Sequence, residues 1–250
     1  MAAKFRLGIQ SYCFRKFQPL EKLIEALDEV GLKYVELWPG HQPFDAPEAE
    51  LRRAIEAIRS AGIGIDSCGV SRMADDEQAN RNLLAFGKMA GVRAVSVDFP
   101  ADVSDETLRK IEALCEEYEV DIALHNHGKK HHWGPPERVE ELLTRTGPRV
   151  GLCLDTAWAL DSGADPLEMA ERFYDRLKGV HLKDFAFDAD GAHEDVIIGT
   201  GNLDLPALLK LLSERGFAGY MSLEYEGNAD APLPDVKACV QAVEEAAKAL

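Results

Sequence analysis

Asp121-Ile-Ala-Leu-His-Asn-His-Gly128 is the stretch on which the reading of this chain turns. Ile122-Ala123-Leu124 is a short apolar run of the kind that forms a buried strand, and it ends in His125 and His127. Residues two apart on a strand point to the same face, so both imidazoles project together from one strand end. Neutral imidazole is a common ligand of zinc and other transition ions. A lone histidine is more simply a hydrogen-bonded structural residue; two in register at a strand end weigh toward a site. Later apolar runs close in the same manner, as Leu154-Asp155, Val180-His181 and Leu223-Glu224.

Outward from this stretch, short apolar runs alternate with helical stripes. Phe5 to Phe14 reads as the first strand, and Pro19 opens a helix with Leu20, Leu23, Ile24 and Leu27 on one face, stopped by Gly31. Tyr34 to Trp38, Ile63 to Asp66, Val95 to Asp98, Val150 to Asp155, Val180 to Lys183 and Tyr220 to Glu224 read as further strands. The helices between them start at Pro or Ser caps, such as Ser104 and Pro135-Pro136, and most end at Gly, the last before Val180 at Gly179; a closing helix runs from about Pro234 to Leu250. Eight strand–helix units of roughly 30 residues suit a single α/β fold, the (β/α)8 TIM barrel. A doubly wound sheet would carry a Gly-rich loop after its first strand, and Gln10-Ser11-Tyr12-Cys13 is not one. No Pro- or Ser-rich linker divides the chain, so residues 1–250 read as one domain.

The net charge of −16 argues against a nucleic-acid or anionic-membrane partner, since both need a basic face. The 5 cysteines are scattered and form no C-x-x-C pair, which fits reduced thiols. The start has no apolar leader and no run is long enough to span a bilayer, so the expected location is cytoplasmic.

In a barrel the C-terminal strand ends share one face, where active sites lie. The polar residues expected there are Glu36, Asp66, Asp98, His125, His127, Asp155, His181, Lys183 and Glu224. Charges bunched at one rim cost desolvation unless paired, and a divalent cation would satisfy several at once. Leu-His-Asn-His-Gly, Leu-Asp-Thr, His-Leu-Lys-Asp and Leu-Glu, in that order on strands five to eight, resemble the strand ends of xylose isomerase-like barrels. Within these the chain looks like the sugar phosphate isomerase/epimerase family, with Val35-Glu36-Leu37 and Gly199-Thr200-Gly201 adding to the likeness. The resemblance implies one divalent ion held by His125, Asp155, His181 and Glu224, manganese first, with magnesium, cobalt, iron or zinc as the other choices. It departs from the ketose 3-epimerases of that group at strand five, where their second catalytic glutamate is replaced by His125, and at Trp158, where they often carry His.

The resemblance implies a sugar or polyol substrate, a proton lost from the carbon next to a carbonyl, and an enediolate; the outcome is isomerisation or epimerisation. Without the strand-five glutamate, a lyase or dehydratase acting on keto-sugars, keto-glycosides or inososes is the alternative, and a non-catalytic sugar- or metal-binding barrel the third. An apurinic-site endonuclease would need more metal ligands and a basic surface. Glu224 is expected as base, His127 or Lys183 as the opposing acid or base, and Glu36 either in the catalytic set or in a structural pair with Lys183. Gln10, Trp38, Asp98 and Trp158 are expected to meet the substrate, although Asp66 and Asp98 have a plainer reading as acceptors for loop backbone. His127 lies about 6–7 Å along the strand from His125, so one ion hardly reaches both, and His127 is expected on the substrate. His41, Lys129, Lys130, His131, His132 and His193 read as solvated loop residues, Asp188-Ala-Asp190-Gly191 as a hairpin turn, and Gly199-Thr200-Gly201 as a flexible turn or a backbone approach to ligand.

Overall fold

The computed structural model describes residues 6–248 and 250. Phe5, expected to begin the first strand, lies outside the described residues. The strands in chain order are β1 (Leu7–Gln10), β2 (Tyr34–Leu37), β3 (Gly64–Cys68), β4 (Ser71–Arg72), β5 (Ala94–Asp98), β6 (Asp121–His125), β7 (Val150–Asp155) and β8 (Leu177–Leu182), then β9 (Phe185–Phe187), β10 (His193–Asp195) and β11 (Tyr220–Leu223). Nine of them form one parallel sheet, ordered β3-β2-β1-β11-β8-β7-β6-β5-β4. β3 and β4 are two pieces of one barrel strand separated by Gly69 and Val70, so the sheet curls into a nearly closed barrel. The near-continuous apolar strands suit a parallel sheet covered on both faces. β9 and β10 form the antiparallel hairpin in the long loop after β8.

The helices form where capping and apolar spacing agree. α1 (Leu20–Val30) buries Leu23, Ala26 and Leu27 on one stripe and ends at Gly31, whose φ of 84° only glycine adopts without strain. The helix at Asp105–Tyr118 starts at Ser104, whose hydroxyl accepts the Thr107 amide at 3.1 Å. Two expectations need correction. The first strand stops at Gln10, and Ser11–Phe14 is a 3-10 turn. The helix begun by Asp165-Pro166 stops at Arg172, and the following strand already starts at Leu177. Gly179 is therefore no helix stop: it lies mid-strand against the Tyr220 ring, where a Cβ would collide. Among the described residues no helix is long and apolar enough to cross a membrane.

Candidate metal centre and cleft

His125 ends β6, Asp155 ends β7, His181 lies one residue before the end of β8, and Glu224 follows β11. These strands are neighbours in the sheet, with Asp155 opposite His181 and His181 opposite Ser222. Parallel register therefore carries four buried side chains to one point, and one ligand atom from each lies within 4.8 Å of the others. His125 Nε2 is 3.4 Å from Asp155 Oδ2 and 3.9 Å from Glu224 Oε2.

The donor atoms fit a cation. Both ring nitrogens of His125 and Oδ2 of Asp155 are buried without a hydrogen-bond partner. Buried polar atoms are otherwise nearly always satisfied. Asp155 Oδ1 is already used, accepting the Trp158 amide at 2.8 Å as the N-cap of a short helix, Thr156–Asp161, that the sequence reading did not anticipate. Asn126 fixes the Asp155 backbone from the adjacent strand, accepting its amide at 2.8 Å and donating to its carbonyl at 3.0 Å.

His181 is held from behind. Its Nε2 is 2.7 Å from Glu36 Oε2 and its Nδ1 is 3.1 Å from Glu224 Oε2. Glu36 also accepts from Ser222 at 2.8 Å and from Ser96. A fully buried carboxylate facing Nε2 favours the proton on that nitrogen and leaves Nδ1 as the ligand atom, the usual carboxylate–histidine–metal arrangement. The expected alternative, a Glu36–Lys183 ion pair, is absent. Lys183 instead pairs with Glu226 and, at 3.6 Å, with Asp195 of β10.

The charges shape one another. Burial pushes Glu224 up, but Lys183, His181 and His125 hold its carboxyl well below the ordinary glutamate range. Burial would lower Lys183, and the carboxylates of Glu224, Asp155, Glu226 and Asp195 together keep it charged well above the ordinary lysine range. Asp195 is pushed up to about 7 by burial, against the pull of Lys183. Lys183 Nζ also sits 5.4 Å from the Trp158 ring centre.

Above the four side chains opens a cleft of about 250 Å³. Gln10, Trp38, His127 and Trp158, expected to meet a substrate, line it. So do Tyr12, Val70 and Glu226, which sequence reasoning missed. Glu226 carried a signal: two residues beyond Glu224, it shares that residue's parity. Asp98 lies to one side, with Oδ1 3.5 Å from His127 Nε2; burial would raise its carboxyl, but His127 and His131 hold it low.

Asp66 does not belong to the rim. The β2–β3 register shifts between Val35 and Glu36, so Glu36 pairs with Ser67, and Asp66 faces the other barrel end beside Arg6 and Tyr34. His41 is no loop residue in solvent: it is buried, bonded to Ser11 Oγ at 3.1 Å and Phe14 O at 3.0 Å. His193 stacks on Phe185 and contacts Asp161 at 3.0 Å. The amides of Gly199 and Gly201 donate to Asp184, each at 2.9 Å, so that turn wraps a buried carboxylate of its own chain. Asp188 accepts two amides of the β9–β10 hairpin turn, as a turn residue does.

A family model described as xylose isomerase-like TIM barrel matches residues 85–247, and the chain belongs to that family. Among curated proteins it is 32% identical over 139 residues to the rhizopine catabolism protein MocC of Rhizobium meliloti, a match covering 47% of this chain and 41% of that protein. The match thus spans less than half of that relative's length. Inosose dehydratase of Geobacillus thermodenitrificans (strain NG80-2) is 24% identical over 225 residues, 82% of this chain and 72% of that protein. The solved structure of IolI protein with a bound zinc atom superposes with a TM-score of 0.81 over 98% of this chain and 99% of that one; at 18% identity the likeness is one of fold.

Proposed function

We propose that this chain is a metal-dependent enzyme that removes a proton next to a carbonyl of a sugar or polyol and then expels a β-hydroxyl, a dehydratase reaction. The observation that carries the outcome is at the end of β6: across the four-residue centre from Glu224 stands the imidazole of His125, 3.9 Å away, where a second base would have to stand, and the centre's other carboxylate, Asp155, already accepts the Trp158 amide through Oδ1. A neutral ring engaged with a cation is a poor second base for epimerisation. The curated relatives include inosose dehydratases, which supports the same direction.

His125, Asp155, His181 and Glu224 would hold one divalent ion, with manganese the first to test. When bound it supplies a Lewis acid that stabilises negative charge on the substrate's oxygens. Glu224 takes the proton from the carbon α to the carbonyl. Lys183, kept cationic by its carboxylate neighbours, gives a proton to the departing hydroxyl, which leaves as water. The C–O bond breaks as the C=C bond forms, so the product is an unsaturated ketone. Glu36 positions His181 and does not touch substrate. Trp38 and Trp158 wall the cleft, and Gln10 offers a polar side chain in its lining.

Isomerisation or epimerisation is the second reading. It is supported by the same buried Lys183, which in this reading returns a proton to carbon instead of giving it to a leaving group. The experiment incubates the manganese-loaded protein in deuterated water with inososes, keto-glycosides and ketoses. Loss of water with a new enone absorbance is expected for one class. Deuterated isomer without water loss would move the assignment to the second reading. Binding without carbon-bound exchange would leave a non-catalytic barrel.

A further inference from the structure

A second group of potential ligands stands beside the first and uses none of its four side chains. Asp98 ends β5, and His127 and His131 follow in the loop after β6. His127 Nε2 lies 3.5 Å from Asp98 Oδ1, and His131 Nε2 lies 3.9 Å from Asp98 Oδ2. The two imidazole rings are 4.1 Å apart. One ligand atom from each of the three residues lies within 4.8 Å of the others.

Asp98 Oδ1 and His127 Nε2 are buried atoms, and neither has a hydrogen-bond partner. They face each other at a separation too long for a good hydrogen bond. It matches two ligands on one ion: atoms about 2.05 Å from a tetrahedral centre stand roughly 3.3 Å apart.

The loop is built to hold this arrangement. Trp133 is fully buried, and its indole donates to the carbonyl of Phe99, next to Asp98, at 2.7 Å. Its own carbonyl accepts the His127 amide at 3.2 Å. The His131 amide donates to Gly128 at 2.9 Å, and Gly134 packs so closely on Gly128 that a Cβ there would collide. The Trp133 amide reaches His131 Nδ1 at 3.3 Å; ligation through Nε2 moves the ring proton to Nδ1 and exchanges that long contact for the ligand bond.

We propose that Asp98, His127 and His131 bind a second divalent cation at the mouth of the barrel, separate from the four-residue centre. Two imidazoles and one carboxylate, with open positions toward a neighbouring cleft of about 380 Å³ that both histidines line, suit zinc or another borderline first-row ion. His127 then meets the substrate through the ion it holds, not through a proton on Nε2. The inference concerns cation binding and does not rest on the dehydratase reading.

The test is equilibrium dialysis of chelator-stripped, full-length protein against zinc, with elemental analysis of wild type, His131→Ala and Asp98→Asn. His131 is half-exposed, so its removal leaves the fold standing, and thermal melts check this. Wild type should hold two zinc ions per chain and each variant one. Asp155→Ala combined with Glu224→Ala should also hold one, and lose it when His131→Ala is added. If wild type holds one ion, His131→Ala decides: its loss supports this site and removes the four-residue centre, and its retention overturns this site. Equal zinc in wild type and both variants, at any stoichiometry, overturns the proposal.

Discussion

The two ends of the barrel both bury polar groups, and they differ in what those groups face. At the C-terminal mouth, the atoms without partners converge: Asp155 Oδ2 and the ring nitrogens of His125 stand within reach of Glu224 and His181. Behind them Glu36 is fully engaged, receiving His181, Ser222 and Ser96. At the N-terminal end, Arg6, Tyr34, Asp66, Arg93, Lys178 and Tyr220 line a cavity of about 190 Å³. Both oxygens of Asp66 and the hydroxyl of Tyr220 are buried without partners there, yet among the described residues no set of ligand atoms gathers around them. An orphaned buried polar atom thus marks a cost, and only convergence of several marks a binding centre. One end gathers donor atoms that suit a cation; the other holds a single buried carboxyl beside cationic side chains.

The largest effect should come from breaking that convergence. Asp155→Ala removes a ligand and the cap of the helix behind it, so bound metal should vanish and turnover fall by about 10³-fold or more. Retained metal, measured by elemental analysis, would sink the four-residue assignment. Lys183→Met should keep the metal and lower kcat by roughly 10²–10⁴-fold, the range for a lost proton donor. If the metal leaves with the lysine, its role is to balance charge for the centre. Glu36→Gln should act more gently. It keeps a hydrogen-bonding side chain behind His181 but loses the charge, and metal affinity in chelator competition should fall by about 10–100-fold. An unchanged affinity would show that Ser96, Ser222 and packing suffice to hold the ring.

The contrast between the ends also explains what could be read from the sequence. Strand ends and helix caps are local signals, and they placed His125, Asp155, His181 and Glu224 on neighbouring strands. Which side chain meets which depends on register, which a single strand does not reveal. The shift between Val35 and Glu36 turns Asp66 away from the rim and sets Ser67 beside Glu36. The partner of Glu36 is His181, not Lys183, because the buried lysine is taken by Glu226 and Asp195, the latter on a hairpin far along the loop. His131 lay hidden for a related reason: its loop is polar in composition, and only the burial of Trp133 folds it back onto Asp98.

The smallest effect on catalysis is expected at the opposite end, where stability should respond instead. The Asp66 carboxyl is pushed up to about 7, first by burial and then by the charge of Glu36, with Arg6 only partly opposing. An unfolded aspartate titrates near about 3.9. The folded chain therefore binds this proton more tightly than the unfolded chain. The resulting stabilisation is fully present below about pH 4 and is lost as pH rises through about 7. Above that, the ionised carboxylate costs the fold up to about 4 kcal/mol, an upper bound from roughly three pH units at 1.36 kcal/mol each. Asp66→Asn should remove the cost while keeping the shape. Its thermal midpoint should exceed that of wild type by a margin that grows from pH 5 to pH 7 and then levels, with turnover and metal content nearly unchanged. A margin that stays flat from pH 5 to pH 8 would mean that Arg6 and the other cations of the cavity already compensate the charge. The two ends of the barrel would then differ in geometry alone.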